Sequence, residues 1–115
     1  MAIENFISQL RSAPHSIAFS DCLFVIDKHY VFSPTEFKNG DVVNHAGQNN
    51  ASCKIFAFAQ EQNLSKEETL ACFGTYYSKE VLGNPEGDDH QNIRNFMKTS
   101  WEGISFSEPA LIKKY

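Results

Sequence analysis

Asn63-Leu64-Ser65-Lys66-Glu67-Glu68 constrains the fold of this chain more than any other stretch, because it sets a helix stop directly against a helix start. Asn accepts the left-handed conformation that closes a helix. Ser65 with Glu68 is an S-x-x-E capping box. Apolar stripes flank the pair: Ile55, Phe56 and Ala59, with Phe58 beside them, come before, and Leu70, Phe73, Tyr77 and Val81 come after. Helices joined so tightly must lie alongside each other as an antiparallel αα-hairpin. They are the third and fourth helices of the chain, the third spanning 52–62.

The same periodicity places the other elements. Ile3, Phe6, Ile7 and Leu10 share one face of a first helix ending near Ala13-Pro14. Ser20 is expected to cap a second helix running to Tyr30, with Phe19 packed on Phe24 as a hydrophobic staple. Beyond the Asn84-Pro85-Glu86-Gly87 turn, Asp88 as cap with Gln91 opens a fifth helix carrying Ile93, Phe96, Met97 and Trp101. Between the second and third helices, alternation at Tyr30 and Phe32, an interrupting Pro34 and the Asn39-Gly40 turn predict a short edge strand or hairpin arm. Gly103-Ile104-Ser105-Phe106 alternates as well and is expected to pair with that arm. The expected fold is mainly α, with five helices and a small antiparallel β element: an α+β single domain over residues 1–115.

Composition sets the function classes aside one by one. A hydrophobic share of 42% with 10 Phe supplies a real core for 115 residues. Ten Lys+Arg against 14 Asp+Glu give a net charge of -4 with no basic stripe, which argues against a nucleic-acid partner. No apolar run approaches the length a membrane helix needs, and polar residues interrupt the N-terminal pattern where a signal peptide would be continuous. Cys22, Cys53 and Cys72 are odd in number and lack a C-x-x-C pair, so neither a disulfide framework nor a zinc knuckle is indicated and a reducing cytosol is the simplest setting. No cofactor motif is present, and oligomeric state is not legible.

Two kinds of candidate site remain. Cys53 falls in the first turn of the third helix, where backbone N–H groups and the helix dipole stabilise a thiolate. A small cysteine-dependent hydrolase or acyl transferase would use Cys53 as nucleophile, His90 or His45 as base and Gln48 as oxyanion donor. Against this stands the ordinary role of a free cysteine, a small buried hydrophobe, which is favoured. The second candidate is a ligand surface built from Asn39, Asp41, Asn44 and Asn49 with Arg94, whose guanidinium suits an anionic metabolite. Its plainer counterpart is loop scaffolding, since Asn and Asp side chains commonly bond nearby backbone. A metal site would have to gather His45, His90, Asp41, Asp88 and Asp89, but no ligand spacing of a known type appears, so no metal is expected.

"QNNASCKIFAFA" resembles the helix start of papain-like proteases, one residue short in spacing and with Lys54 where an aromatic would stand. A broader likeness covers nearly the whole chain. "FSPTEFKNGDVVNHAGQNNASCKIFAFAQ", "LACFGTYYSKEVLGNPEGDDHQNIRNFM" and "SWEGISF" resemble the HopJ type III effector family of bacterial proteins. The resemblance implies a small single-domain bacterial protein, delivered into a host cell or resident in the bacterial cytoplasm, with no agreed catalytic residues to carry across. It makes a binding or interaction protein, meeting a host protein or a small anionic ligand through residues 39–49 and 88–95, the leading expectation.

Overall fold

A computed structural model of the chain describes residues 2–114. Helix α1 (Ile3–Ser12) and helix α2 (Phe19–His29) open it, separated by a 3-10 turn at Pro14–Ser16. Phe6 and Leu10, one turn apart on α1, are fully buried. Helix α2 begins earlier than Ser20 suggests. The N–H of Ala18 donates to the Asp21 carboxylate at 3.1 Å, which places the cap at Ala18 and Ser20 inside the helix. The expected staple does not form, because Cys22, Val25 and Ile26 take the inward face and leave Phe24 62% exposed. Phe19 instead stacks on Phe73 and meets Tyr76 edge-on.

Where the sequence predicts one arm, the chain forms three short strands: β1 (Tyr30–Phe32), β2 (Phe37–Asn39) and β3 (Val42–Asn44). Strands β2 and β3 make a hairpin over Gly40, whose φ of +60° suits the tight turn. Strand β4 (Ile104–Phe106) pairs antiparallel with β2, Phe37 opposite Phe106, so the expected contact is with the far end of the arm and not with Tyr30. Strand β1 pairs with β5 (Leu111–Lys113), an element the sequence reading lacks because Pro109 precedes a run too short to show alternation. The sheets are therefore β3-β2-β4 and β1-β5, both antiparallel.

Helix α3 (Asn50–Glu61) and helix α4 (Lys66–Ala71) meet as their junction dictates. Asn63 is left-handed at φ 56°. Ser65 Oγ accepts from the N–H of Glu68 at 3.1 Å while Glu68 Oε1 accepts from the N–H of Ser65 at 2.8 Å. The expected long fourth helix, however, breaks after Ala71. Gly74 turns left-handed at φ +59°, and a π-helical turn, Tyr76–Val81, follows. The cause is a close approach: a Cβ on Gly74 would come within 2.8 Å of the backbone nitrogen of Phe19. Leu70, Phe73 and Val81 stay buried across the break.

Helix α5 (Gln91–Thr99) and a 3-10 turn at Ser100–Gly103 lead into β4, with Trp101 Nε1 donating to the carbonyl of Leu64 at 3.0 Å. Phe56 of α3 is the hub of the core. Its ring centroid lies 6.1 Å from Phe37, 5.4 Å from Phe73 and 5.0 Å from Phe96. Each such aromatic pair adds about 0.5–1.5 kcal/mol beyond its buried area. This hub ties β2 and α5 to α3, and so fixes the two polar segments relative to each other.

Candidate functional site

Residues 39–49 and 88–95 are joined by a chain of asparagine side chains. Asn92, in the first turn of α5, lies on the same face as Phe96, so its amide is driven inward where it must find partners. It finds them on the β2–β3 hairpin. Asn39 Nδ2 donates to Asn92 O at 2.7 Å and to Asn92 Oδ1 at 3.0 Å, and Asn44 Nδ2 donates to Asn92 Oδ1 at 3.0 Å. Asn92 Nδ2 returns a bond to Asn44 Oδ1 at 3.0 Å, and Asn49 Nδ2 reaches the same oxygen at 2.6 Å. Asn95 Nδ2 donates to the carbonyl of Asn39 at 3.1 Å. Asn39, Asn44 and Asn92 are all buried; Asn39 Oδ1 has no hydrogen-bond partner. A brace of this kind, in low dielectric, locks two segments in one arrangement.

Beside the brace lies a cleft of about 440 Å³, walled by Asn49 and Ser52 on one side and by His90, Gln91, Asn92 and Ile93 on the other, with Phe19, Phe73 and Tyr76 adding aromatic surface. Helices α3 and α5 both begin at this cleft. Each is preceded by a left-handed residue, Asn49 at φ 53° and His90 at φ 49°, and neither is closed by a side-chain cap bond.

The cap at His90 corrects the expectation that Asp88 would serve. Arg94 explains the shift: Nη2 binds Asp89 Oδ1 at 2.6 Å, Nε binds the carbonyl of Asp89 at 2.5 Å, and Nη1 binds the carbonyl of Asn84 at 3.0 Å. The loop is gathered around a buried guanidinium, which pushes the helix start to His90 and leaves Gln91 Nε2 bonded to the carbonyl of Asp88 at 2.5 Å. Arg94 is thus committed to its own loop, not offered to an anion. Its hydrogen bond to Asp89 is the main reason that carboxyl is held below its ordinary pKa. Asp41 is exposed near the hairpin tip, away from the buried brace.

The proposed catalytic set is not assembled. Cys53 is 1% exposed and belongs to the hydrophobic core. Burial pushes its thiol up to about 11, with the backbone N–H of Thr35 pulling weakly the other way. Its own N–H is spent on the carbonyl of Asn49 at 3.0 Å. His45 Nδ1 sits 3.2 Å from Glu36 Oε1 on the surface, and Gln48 Oε1 accepts from the N–H of His45 at 3.1 Å. His90 Nε2 lies 2.8 Å from Glu80 Oε1. His45 and Gln48 bond each other and His90 pairs with Glu80; among the described residues none of the three bonds Cys53, whose surroundings are those of a packed thiol.

Two residues that the sequence reading did not single out, Asn92 and Glu80, belong to the site. Asn92 could have been found as an amide on the apolar stripe of α5. Glu80 carries no local signal, since the π-helical turn that brings it to His90 depends on the Gly74 contact. Glu80, Asp89 and His90 offer ligand atoms within 4.8 Å of one another, whereas His45, weighed with Asp89 and His90 from the sequence, pairs with Glu36.

With this geometry in hand, comparison with known proteins is informative. The profile of the family described as "HopJ type III effector protein" matches residues 3–111. The chain belongs to the HopJ family. Both arms of the asparagine brace fall within the HopJ match. No curated protein matches the chain. A solved structure described as "unknown function protein VPA0580" is similar to this HopJ chain at 51% identity and a TM-score of 0.98, over 99% of this chain and 95% of that one. Among the described residues of the HopJ chain no helix is long and apolar enough to cross a membrane.

Proposed function

We propose that this HopJ chain acts as one binding domain, a type III effector-like protein that holds its partner in the cleft between residues 49–52 and 90–93. The observation that carries this reading is the brace itself: Asn92 joins Asn44 across 48 positions of sequence and so builds one preformed concave site from two polar segments. Two helix starts without side-chain caps favour an acidic group on the partner, and the aromatic surface of Phe19, Phe73 and Tyr76 favours an apolar flank beside it. A host-protein segment with an acidic side chain meets both requirements. A small anionic metabolite meets the first.

NMR titration separates the two sources. Backbone shifts at residues 49–52 and 90–93 are expected with an acidic-aromatic peptide; the same shifts with succinate or phosphate alone assign a metabolite. Shifts elsewhere, or none with either probe, remove the cleft as the binding site. Delivery is tested apart, by fusing residues 1–18 to a reporter in cells with a working type III apparatus. Export supports an effector role, and retention places the protein's work in the bacterial cytoplasm.

A further inference from the structure

We infer that Glu80, Asp89 and His90 form a binding site for a divalent transition-metal ion of the zinc or cobalt kind, at the rim of the cleft. The three side chains come from two parts of the chain: Glu80 from the π-helical turn, and the adjoining Asp89 and His90 from the start of α5. Their ligand atoms converge all the same, with His90 Nε2 2.8 Å from Glu80 Oε1 and 3.8 Å from Asp89 Oδ2. Ligands about 2.0–2.2 Å from a zinc ion stand roughly 3–3.5 Å from one another. The two separations from His90 bracket that range and all three ligand atoms lie within 4.8 Å of one another, so rotations of the exposed Glu80 and Asp89 side chains complete the arrangement.

The set is not an acidic patch, because an imidazole nitrogen is its centre and both carboxylates approach that nitrogen. Imidazole selects transition ions, whereas magnesium and calcium favour sites made wholly of oxygen. A support outside the triad points the same way. Arg94, with its side chain 9% exposed, takes Asp89 Oδ1 at 2.6 Å and leaves Oδ2 as the oxygen nearer His90. This is how an outer-shell group orients a ligating carboxylate. On its other side the His90 ring packs against Tyr76, with centroids 5.3 Å apart. An ion held here would staple the π-helical turn to α5 and add positive charge beside the cleft. Its binding can be read with the cleft empty.

The competing account is a plain His90–Glu80 ion pair, and calorimetry of the full chain decides between them. Zn²⁺ and Co²⁺ are titrated separately into wild type, His90→Asn and Glu80→Gln, with Mg²⁺ and Ca²⁺ as controls. Asn tolerates the left-handed backbone at this position, and Glu80 is exposed, so matching melting curves are expected for all three proteins. One saturable Zn²⁺ site is expected in wild type, weakened at least about ten-fold in each variant, since losing a direct ligand costs no less than losing an outer-shell group. Co²⁺ should perturb the His90 and Tyr76 ring signals before those of His15, His29 or His45. Absence of Zn²⁺ or Co²⁺ uptake by wild type, uptake unchanged in Glu80→Gln or in a folded His90→Asn, or tighter binding of Mg²⁺ or Ca²⁺ would overturn the assignment.

Discussion

Asn92 is the residue on which the cleft depends, and its environment makes a graded prediction. Truncation to Ala strands the buried Nδ2 of Asn44, while Asn39 keeps its bond to the Asn92 carbonyl. Leaving one buried polar group unpaired costs about 1–3 kcal/mol. Urea unfolding should show a loss of that order for Asn92→Ala and a smaller one for the exposed Asn49→Gly, which keeps the left-handed backbone without strain; the reverse order would show that the brace does not hold the two segments together. Cys53 supplies a second prediction of the same local kind. With its thiol near 11, the group is protonated at neutral pH, and iodoacetamide should label it only as fast as the protein opens. Rapid labelling of folded protein, read by mass spectrometry, would restore the nucleophile.

Among the elements, α4 and the turn that follows it show what local sequence can and cannot specify. The capping box is legible because Ser65 and Glu68 bond each other. Ser65→Ala should cost about 1 kcal/mol. The same motif carries a pH dependence. The Glu68 carboxyl is held below its usual value of 4.5, first by the N–H of Ser65 and then by Arg11, so its stabilisation is fully present above that value and is lost as pH falls through the lower folded one. Thermal melts from pH 7 downward should flatten in Glu68→Gln. The break at Gly74 is illegible for the opposite reason: its cause is the backbone of Phe19, a contact that no spacing within 66–81 can announce. Gly74→Ala combines a left-handed strain of about 1–2 kcal/mol with that clash, and should destabilise by 2 kcal/mol or more, against about 0.5 kcal/mol or less at the neighbouring Thr75→Ala.

At the scale of the whole molecule, the mainly helical α+β architecture was readable because amphipathic periodicity is local, and Phe6, Leu10, Phe56 and Phe96 are buried as their spacing requires. The cleft was only half readable. Its polar residues stood out as a cluster at 39–49, but the partner that organises them lies on α5. Least legible was the β1-β5 pairing, which sets Tyr30 opposite Lys113. Removing residues 110–115 should expose Tyr30, destabilise the fold and speed proteolysis; unchanged resistance would show that this ribbon is dispensable. The pairing also bears on when the protein can finish folding. With β1 paired to residues 111–113, the ribbon joins segments far apart in sequence, and closing so long a loop makes it a late step of folding. Until that step is complete, the unpaired edge of β1 is the part of the fold open to a competing strand.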